Sequence, residues 1–332
     1  MRELSAVPSF PWISRPLPAP GTSQITGNRL RRALREVMLW LLAACLCSVC
    51  GGVAAAQRTN TTSDAAIDQK VLAELTTLYG STSTILAHID LTTPFATKSP
   101  WAVVIAKATQ PDAALLRWDP GDTSGNGGPV SICFVKDLTP DCSEQAYRTH
   151  GFKWFQGSQG IRPFYRFFAA RVVSAAADKS KPLLLLSVCT LHGINGNCGV
   201  SMLLYRYNRS ADRFDIAFLD SVARNTNGVI RFVENGPLQG SVLVAYPTNR
   251  APYTYWVEVY KQDAAGNYKL ALRYRGKTGY GDGNPLSVAD SEMPTILHRF
   301  GYWKPGDPPP VPEEMPASCK RVFMRGELEW CE

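Results

Sequence analysis

The chain has 332 residues, of which 45% are apolar, 10% aromatic and 19% charged, and its formal net charge is +7. That composition is too apolar for an intrinsically disordered chain, and the length is enough to bury a substantial core. Residues 1–56 carry six arginines against two acidic residues, so residues 57–332 keep a net charge of only +3. With no basic stripe to neutralise phosphates, nucleic acid is excluded as a partner.

Residues 29–56 read as an export leader. Arg29, Arg31, Arg32 and Arg35 make a positive start, an apolar stretch runs from Val37 to Val53, and Ala54-Ala55-Ala56 supplies the small-residue cleavage pattern. Residues 1–28 resemble neither signal nor fold, which makes Met38 or an earlier residue a candidate start. Cleavage after Ala56 would release the protein into the periplasm or medium. Two other fates fit the same residues. Leu42-Ala43-Ala44-Cys45 matches a lipidation box at Cys45, and 37–56 is just long enough to remain as a membrane anchor. Arg31-Arg32 lacks the flanking pattern of a twin-arginine signal. Membrane contact is expected only through the lipidated Cys45 or the uncleaved leader.

Three of the nine cysteines lie in the leader. The other six fall into near pairs, Cys133 with Cys142, Cys189 with Cys198 and Cys319 with Cys331. Six cysteines allow 15 connectivities, but the clustering favours these three short-range bridges in an oxidising compartment. Among these six the C-x2-C spacing and accompanying histidine pair of a zinc site are missing.

Beyond the leader, segment 57–83 carries one helix. Ser63 or Asp64 caps it, Ile67, Val71, Leu75 and Leu78 recur at helical spacing, and Gly80 ends it. Residues 84–332 read as a single all-β domain. Short β-branched and aromatic runs occupy 101–108, 130–136, 164–173, 183–189, 200–207, 214–220, 229–233, 241–246, 253–260 and 268–274, separated by Gly, Pro, Asn and Asp clusters. A weak repeat aligns Leu183–Thr190 with Ser241–Thr248 at an offset of 58, and Leu204–Phe214 resembles Val257–Tyr268. Antiparallel meander repeats of this size predict a propeller-like fold with room for four or five units, a β-sandwich being the alternative. The proline-rich 304–312 should carry the chain to a final strand within 321–330, in a hairpin closed by Cys319 and Cys331.

The densest polar segment is Gly279-Tyr-Gly-Asp-Gly-Asn-Pro-Leu-Ser-Val-Ala-Asp-Ser-Glu292. Asp282, Asn284, Asp290 and Glu292 offer hard oxygen ligands for Ca²⁺, though not at EF-hand spacing, and no other cofactor is expected. The same residues suit a hydrogen-bonded turn, and Asp282 with Glu292 would be the acid pair of a glycan hydrolase. His88, His150, His192 and His298 belong to no hydrolytic or zinc motif. Aromatic rings beside amides and cations suit sugar or peptide faces, which singles out Tyr280, Trp303, Asn284 and Trp154 as ligand-binding candidates. Asn60 and Asn208 begin glycosylation sequons. The sequence therefore predicts an exported, disulfide-stabilised, non-catalytic β protein that binds a glycan or protein partner. A cell-envelope glycan hydrolase and a structural envelope component are the alternatives.

Overall fold

The computed structural model describes residues 62–80, 82–109, 130–142, 164–176, 179–191, 198–249 and 253–332, with the backbone alone at 62, 190, 191, 198 and 225. The leader with Cys45, the sequon at Asn60, His150, Trp154 and His192 lie outside these residues. Among the described residues no helix is long and apolar enough to cross a membrane.

The chain opens with helix α1 (Thr62–Tyr79), ended by Gly80 at φ +65°. Strands then form four antiparallel sheets. The first contains β1 (Ser83–Asp90), β2 (Trp101–Ala108), β3 (Val130–Lys136) and β4 (Thr139–Asp141), with a single helical turn, α2 (Thr92–Phe95), between β1 and β2. The second contains β5 (Arg166–Ser174), β6 (Pro182–Leu191), β7 (Cys198–Asn208) and β8 (Arg213–Ala223). The third contains β9 (Val229–Phe232), β10 (Val242–Pro247), β11 (Thr254–Gln262) and β12 (Tyr268–Gly279). Each is a meander in which every strand pairs with its neighbour in sequence. Two short helices follow, α3 (Val288–Ser291) and α4 (Met293–Arg299), and then a two-stranded hairpin of β13 (Val322–Arg325) and β14 (Leu328–Cys331).

The sheets are stacked face to face. Alternate residues of one strand point to opposite faces, and here both faces find a neighbour. In β2, Ala102, Val104 and Ala106 meet Val71 and Leu75 of α1, while Val103 and Ile105 meet Leu184, Leu186 and Val188 of β6. Leu183 and Leu185 of that strand face Val242 and Val244 of β10. Leu243 and Ala245 of β10 then face Val288, Ala289, Ile296 and Leu297 of α3 and α4. The layer order is helix, sheet, sheet, sheet, helix pair. Burial on both faces is why the strands read as unbroken apolar runs and not as an alternation.

Three sheets facing one another replace the two of a sandwich. Three four-stranded units and one hairpin are described, against the four or five units expected. The internal repeat has a structural meaning, because 183–190 and 241–248 are the second strands, β6 and β10, of consecutive sheets. The second pair of segments are the β7–β8 and β11–β12 hairpins. The final segment expected within 321–330 holds both strands of a hairpin, β13 and β14, next to the Cys319–Cys331 bridge.

Cys133–Cys142 and Cys319–Cys331 are bonded. Cys189 is disulfide-bonded too, and the side chain of its expected partner Cys198 lies outside the described residues. The first bridge also anchors α1, since Glu74 accepts a hydrogen bond from the Cys142 amide at 3.0 Å and Tyr79 donates to the Cys142 carbonyl at 3.3 Å. Buried His88 of β1 lies 2.8 Å from Asp68 and 3.6 Å from Asp64 of the same helix.

Sheets 1 and 2 are joined at one end by Asp212, in the β7–β8 turn. Its carboxylate accepts from Lys136 Nζ (2.7 Å), Tyr207 Oη (2.6 Å), Ser99 Oγ (2.7 Å) and Trp101 Nε1 (3.0 Å). Lys136 first, then Tyr207 and Ser99, hold this carboxyl well below the usual carboxylate range against a small opposing effect of burial. A carboxyl with a depressed folded-state pKa stabilises the fold above its unfolded value, 3.8 for Asp, and that contribution disappears as the pH falls further. Asp212→Asn should therefore lower the melting temperature at pH 7, and the gap to wild type should narrow when melts are repeated near pH 3. A gap that stays constant with pH would show that the charge of Asp212 is irrelevant. Between the same two sheets, the Tyr205 hydroxyl is fully buried and has no hydrogen-bond partner among the described residues. Tyr205→Phe should be neutral or stabilising by up to about 1 kcal/mol in urea titration, because it removes an unsatisfied polar group at constant shape. Leu204→Ala should cost roughly 2–5 kcal/mol in the same assay.

Candidate functional site

A cleft of about 830 Å³ opens at the end of the third sheet where β9 begins and β12 ends. Its walls come from Arg224, Asn227, Gly228 and Val229 before and in β9, Tyr255 of β11, Thr278 and Gly279 of β12, the turn 281–288, and 314–316. The polar segment singled out in the sequence thus forms one wall. Asp282 and Asn284 line the cleft; Tyr280, Asp290, Glu292 and Trp303 are not among its lining residues.

The acids of this segment are engaged by the protein itself. Asp282 closes a tight turn, accepting from the Gly279 amide at 3.0 Å and the Asn284 amide at 2.9 Å. Asp290 is fully buried and forms a two-point ion pair with Arg231 of β9, at 2.5 and 2.9 Å. Burial alone would raise the Asp290 pKa and lower that of Arg231, but their pairing reverses both shifts. Asp290 also accepts from Ser287 Oγ at 2.7 Å and the Glu313 amide at 3.1 Å, so both walls of the cleft hang on it. Glu292, equally buried, accepts from the amides of Lys277 (2.6 Å) and Thr278 (2.8 Å), from Thr278 Oγ1 (2.9 Å) and from Tyr274 Oη (3.1 Å). This close approach requires Gly276, where a Cβ would stand 2.6 Å from Glu292 Oε1.

The four oxygen-bearing residues proposed for Ca²⁺ are therefore drawn apart. Among the described residues no group of three or more His, Cys, Asp or Glu side chains is placed to hold a metal ion. Nor do Asp282 and Glu292 face each other across a cleft as a hydrolytic pair requires. Glu292 is turned into the protein and saturated with hydrogen bonds, because an unpaired buried carboxylate is costly.

Asn284 shapes the cleft. Its two amide hydrogens go to Ser291 Oγ (3.0 Å) and the Glu329 carbonyl (2.8 Å), and its oxygen accepts from the Leu286 amide at 3.2 Å. Tyr280 is half exposed between two glycines of the wall, and its amide donates to the carbonyl of the equally exposed Tyr253 at 2.8 Å. Inside, Tyr255 is buried and donates to the Thr226 carbonyl at 3.0 Å. Burial, then the proximity of Tyr280 and Asp282, pushes its hydroxyl up to about 12. Trp303 lies elsewhere, its Nε1 donating to the Pro308 carbonyl at 2.9 Å while its ring packs on the core beneath α3 and α4. Trp154 falls outside the described residues.

Sequence reasoning missed Arg224, Asn227 and Arg231. Arg231 sits inside an apolar strand 59 residues from its partner, so no local pattern announces it. The helix α3 did leave a signal, the Ser287-x-x-Asp290 cap in which Ser287 accepts from the Asp290 amide at 3.1 Å. Compared with models of known protein families, with curated proteins and with solved structures, the chain matches none.

Arg231→Met should destabilise by about 3–5 kcal/mol, since it strands a buried carboxylate, and the double change Arg231→Met/Asp290→Leu should recover most of the loss. Denaturant titration of the two variants decides. A single change costing under about 1 kcal/mol would mean that the ion pair does not hold the cleft together.

Proposed function

We propose that the protein acts outside the cytosol, in the periplasm or secreted, as a non-catalytic binding protein whose cleft takes a hydroxyl-rich ligand of the glycan type. The cleft at the end of the third sheet carries this reading. It joins the Gly279–Gly283 turn, the side chains of Arg224, Asn227 and Asp282, and apolar walls at Val229, Leu286 and Met315, with the exposed rings of Tyr253 and Tyr280 close by. Rings flanking directional polar groups match the alternating apolar and hydroxyl surfaces of a sugar. The engagement of Asp282, Asp290 and Glu292 in structural bonds supports binding over hydrolysis. Five disulfide-bonded cysteines, Cys133, Cys142, Cys189, Cys319 and Cys331, favour an oxidising compartment, in line with the arginine-led apolar leader.

On this reading each four-stranded meander is a blade-like unit and the stack is propeller-like, with the ligand at the rim where loops from consecutive strands meet. Glycan-array screening followed by calorimetry on the best hit tests the assignment. Arg224→Ala and Tyr280→Ala, both at exposed positions, should each weaken binding about tenfold or more, the loss typical of a charged hydrogen bond or a stacked ring. Unchanged affinity in both variants would place the ligand elsewhere, and reducing sugar released from envelope glycans by the purified protein would restore the hydrolase alternative.

A further inference from the structure

The C-terminal hairpin buries an acid for which the described residues supply no partner. Glu329 of β14 is fully buried, and neither carboxylate oxygen has a hydrogen bond. A buried ionised carboxylate without donors is strongly disfavoured, so this position suits the neutral acid. Burial first, then the negative charge of Asp290 on α3, pushes its carboxyl up to about 7. Three cations close to the hairpin are already engaged. Arg231 is held on Asp290, Lys277 of β12 on Glu327 at 2.8 Å, and Arg325 of β13 over the Trp330 ring at 4.3 Å. From α4, His298 and Arg299 act on Glu327.

The same hairpin braces the cleft. The Glu329 carbonyl accepts from Asn284 Nδ2 at 2.8 Å, and the Glu327 carbonyl accepts from Thr295 Oγ1 of α4 at 3.2 Å. We propose that the C-terminal hairpin is a proton-dependent clasp on the cleft wall, closed while Glu329 is neutral and loosened when it ionises. The inference goes beyond the ligand assignment and holds or fails whatever the cleft binds.

The direction follows from linkage. Glu329 binds its proton more tightly in the closed hairpin than in an opened one, where the ordinary value of 4.5 applies. Closure is therefore unaffected by pH below about 4.5, weakens as the pH rises from there to about 7, and levels off above. Within that window the opening constant should climb by up to about tenfold per pH unit.

Hydrogen exchange of the intact protein between pH 5 and 8, expressed as protection relative to intrinsic rates, reads this directly. Protection of the β13 and β14 amides should fall up to pH 7 while that of β6 does not follow. Glu329→Gln should abolish the dependence, with Glu329→Leu as a second variant should the amide fold poorly. The proposal is overturned if wild-type hairpin protection is independent of pH, if it changes only in parallel with β6, or if the variants keep the wild-type slope.

Discussion

Everything in this architecture depends on sheets that are apolar on both faces. A four-stranded meander with one wet face can end a protein; one with two dry faces cannot. Val103 and Val104, or Leu184 and Leu185, are adjacent in sequence and point in opposite directions, yet all are buried. Each sheet therefore demands a neighbour on either side, and the demand passes along the stack until elements with a polar outer face stop it. The helix α1 does this at one end, burying Val71 and Leu75 while Lys70 and Ala73 meet solvent. At the other end α3 is wholly buried and α4 turns only His298 and Arg299 to solvent, and stability in such a stack is carried by contacts between nearest layers.

This constraint also explains what the sequence shows and what it hides. Strand segments such as β2, β3, β6 and β10 are legible because strands buried on both faces are dense in Val, Ile, Leu and aromatic residues. The repeat offset of 58 survives because β6 and β10 occupy the same place in consecutive sheets and meet the same packing demand. Strand β1 is harder to see. It lies at a sheet edge, carries a bulge between Ile85 and Ala87, and leaves Leu86 exposed, so its residues follow neither a strict alternation nor an apolar run. The helices α3 and α4 escape for another reason. The residues that cap and pin them, Ser287, Asp290 and Glu292, are those expected of a polar loop, and only their burial distinguishes strut from ligand.

The candidate site shows the same division. The segment 279–292 is where the sequence points, and it does line the cleft, but its chemistry is set by residues that are remote in the chain. Arg231 neutralises Asp290 from within an apolar strand, and the amides of Lys277 and Thr278 reach Glu292 only because Gly276 leaves room. Composition reveals a cluster of acids; it does not reveal which of them have been given donors.

Three acids near one end of the stack meet three different fates, and the contrast is informative about how the cleft is held. Asp290 has a cation, Glu292 has backbone amides and two hydroxyls, and Glu329 has nothing but a neighbouring negative charge. The first two fasten α3 and its flanks to the third sheet through those donors. The third is cheapest when neutral, and it sits on the hairpin whose carbonyl holds Asn284. At the other end of the strands, Asp212 is surrounded by four donors and favours the ionised form. Acidification from about 7 to 4.5 thus tightens the brace on the cleft, and only further acidification, below 3.8, weakens the join between sheets 1 and 2. The two ends of the molecule respond to protons with opposite sign because one carboxylate was supplied with donors and the other was not.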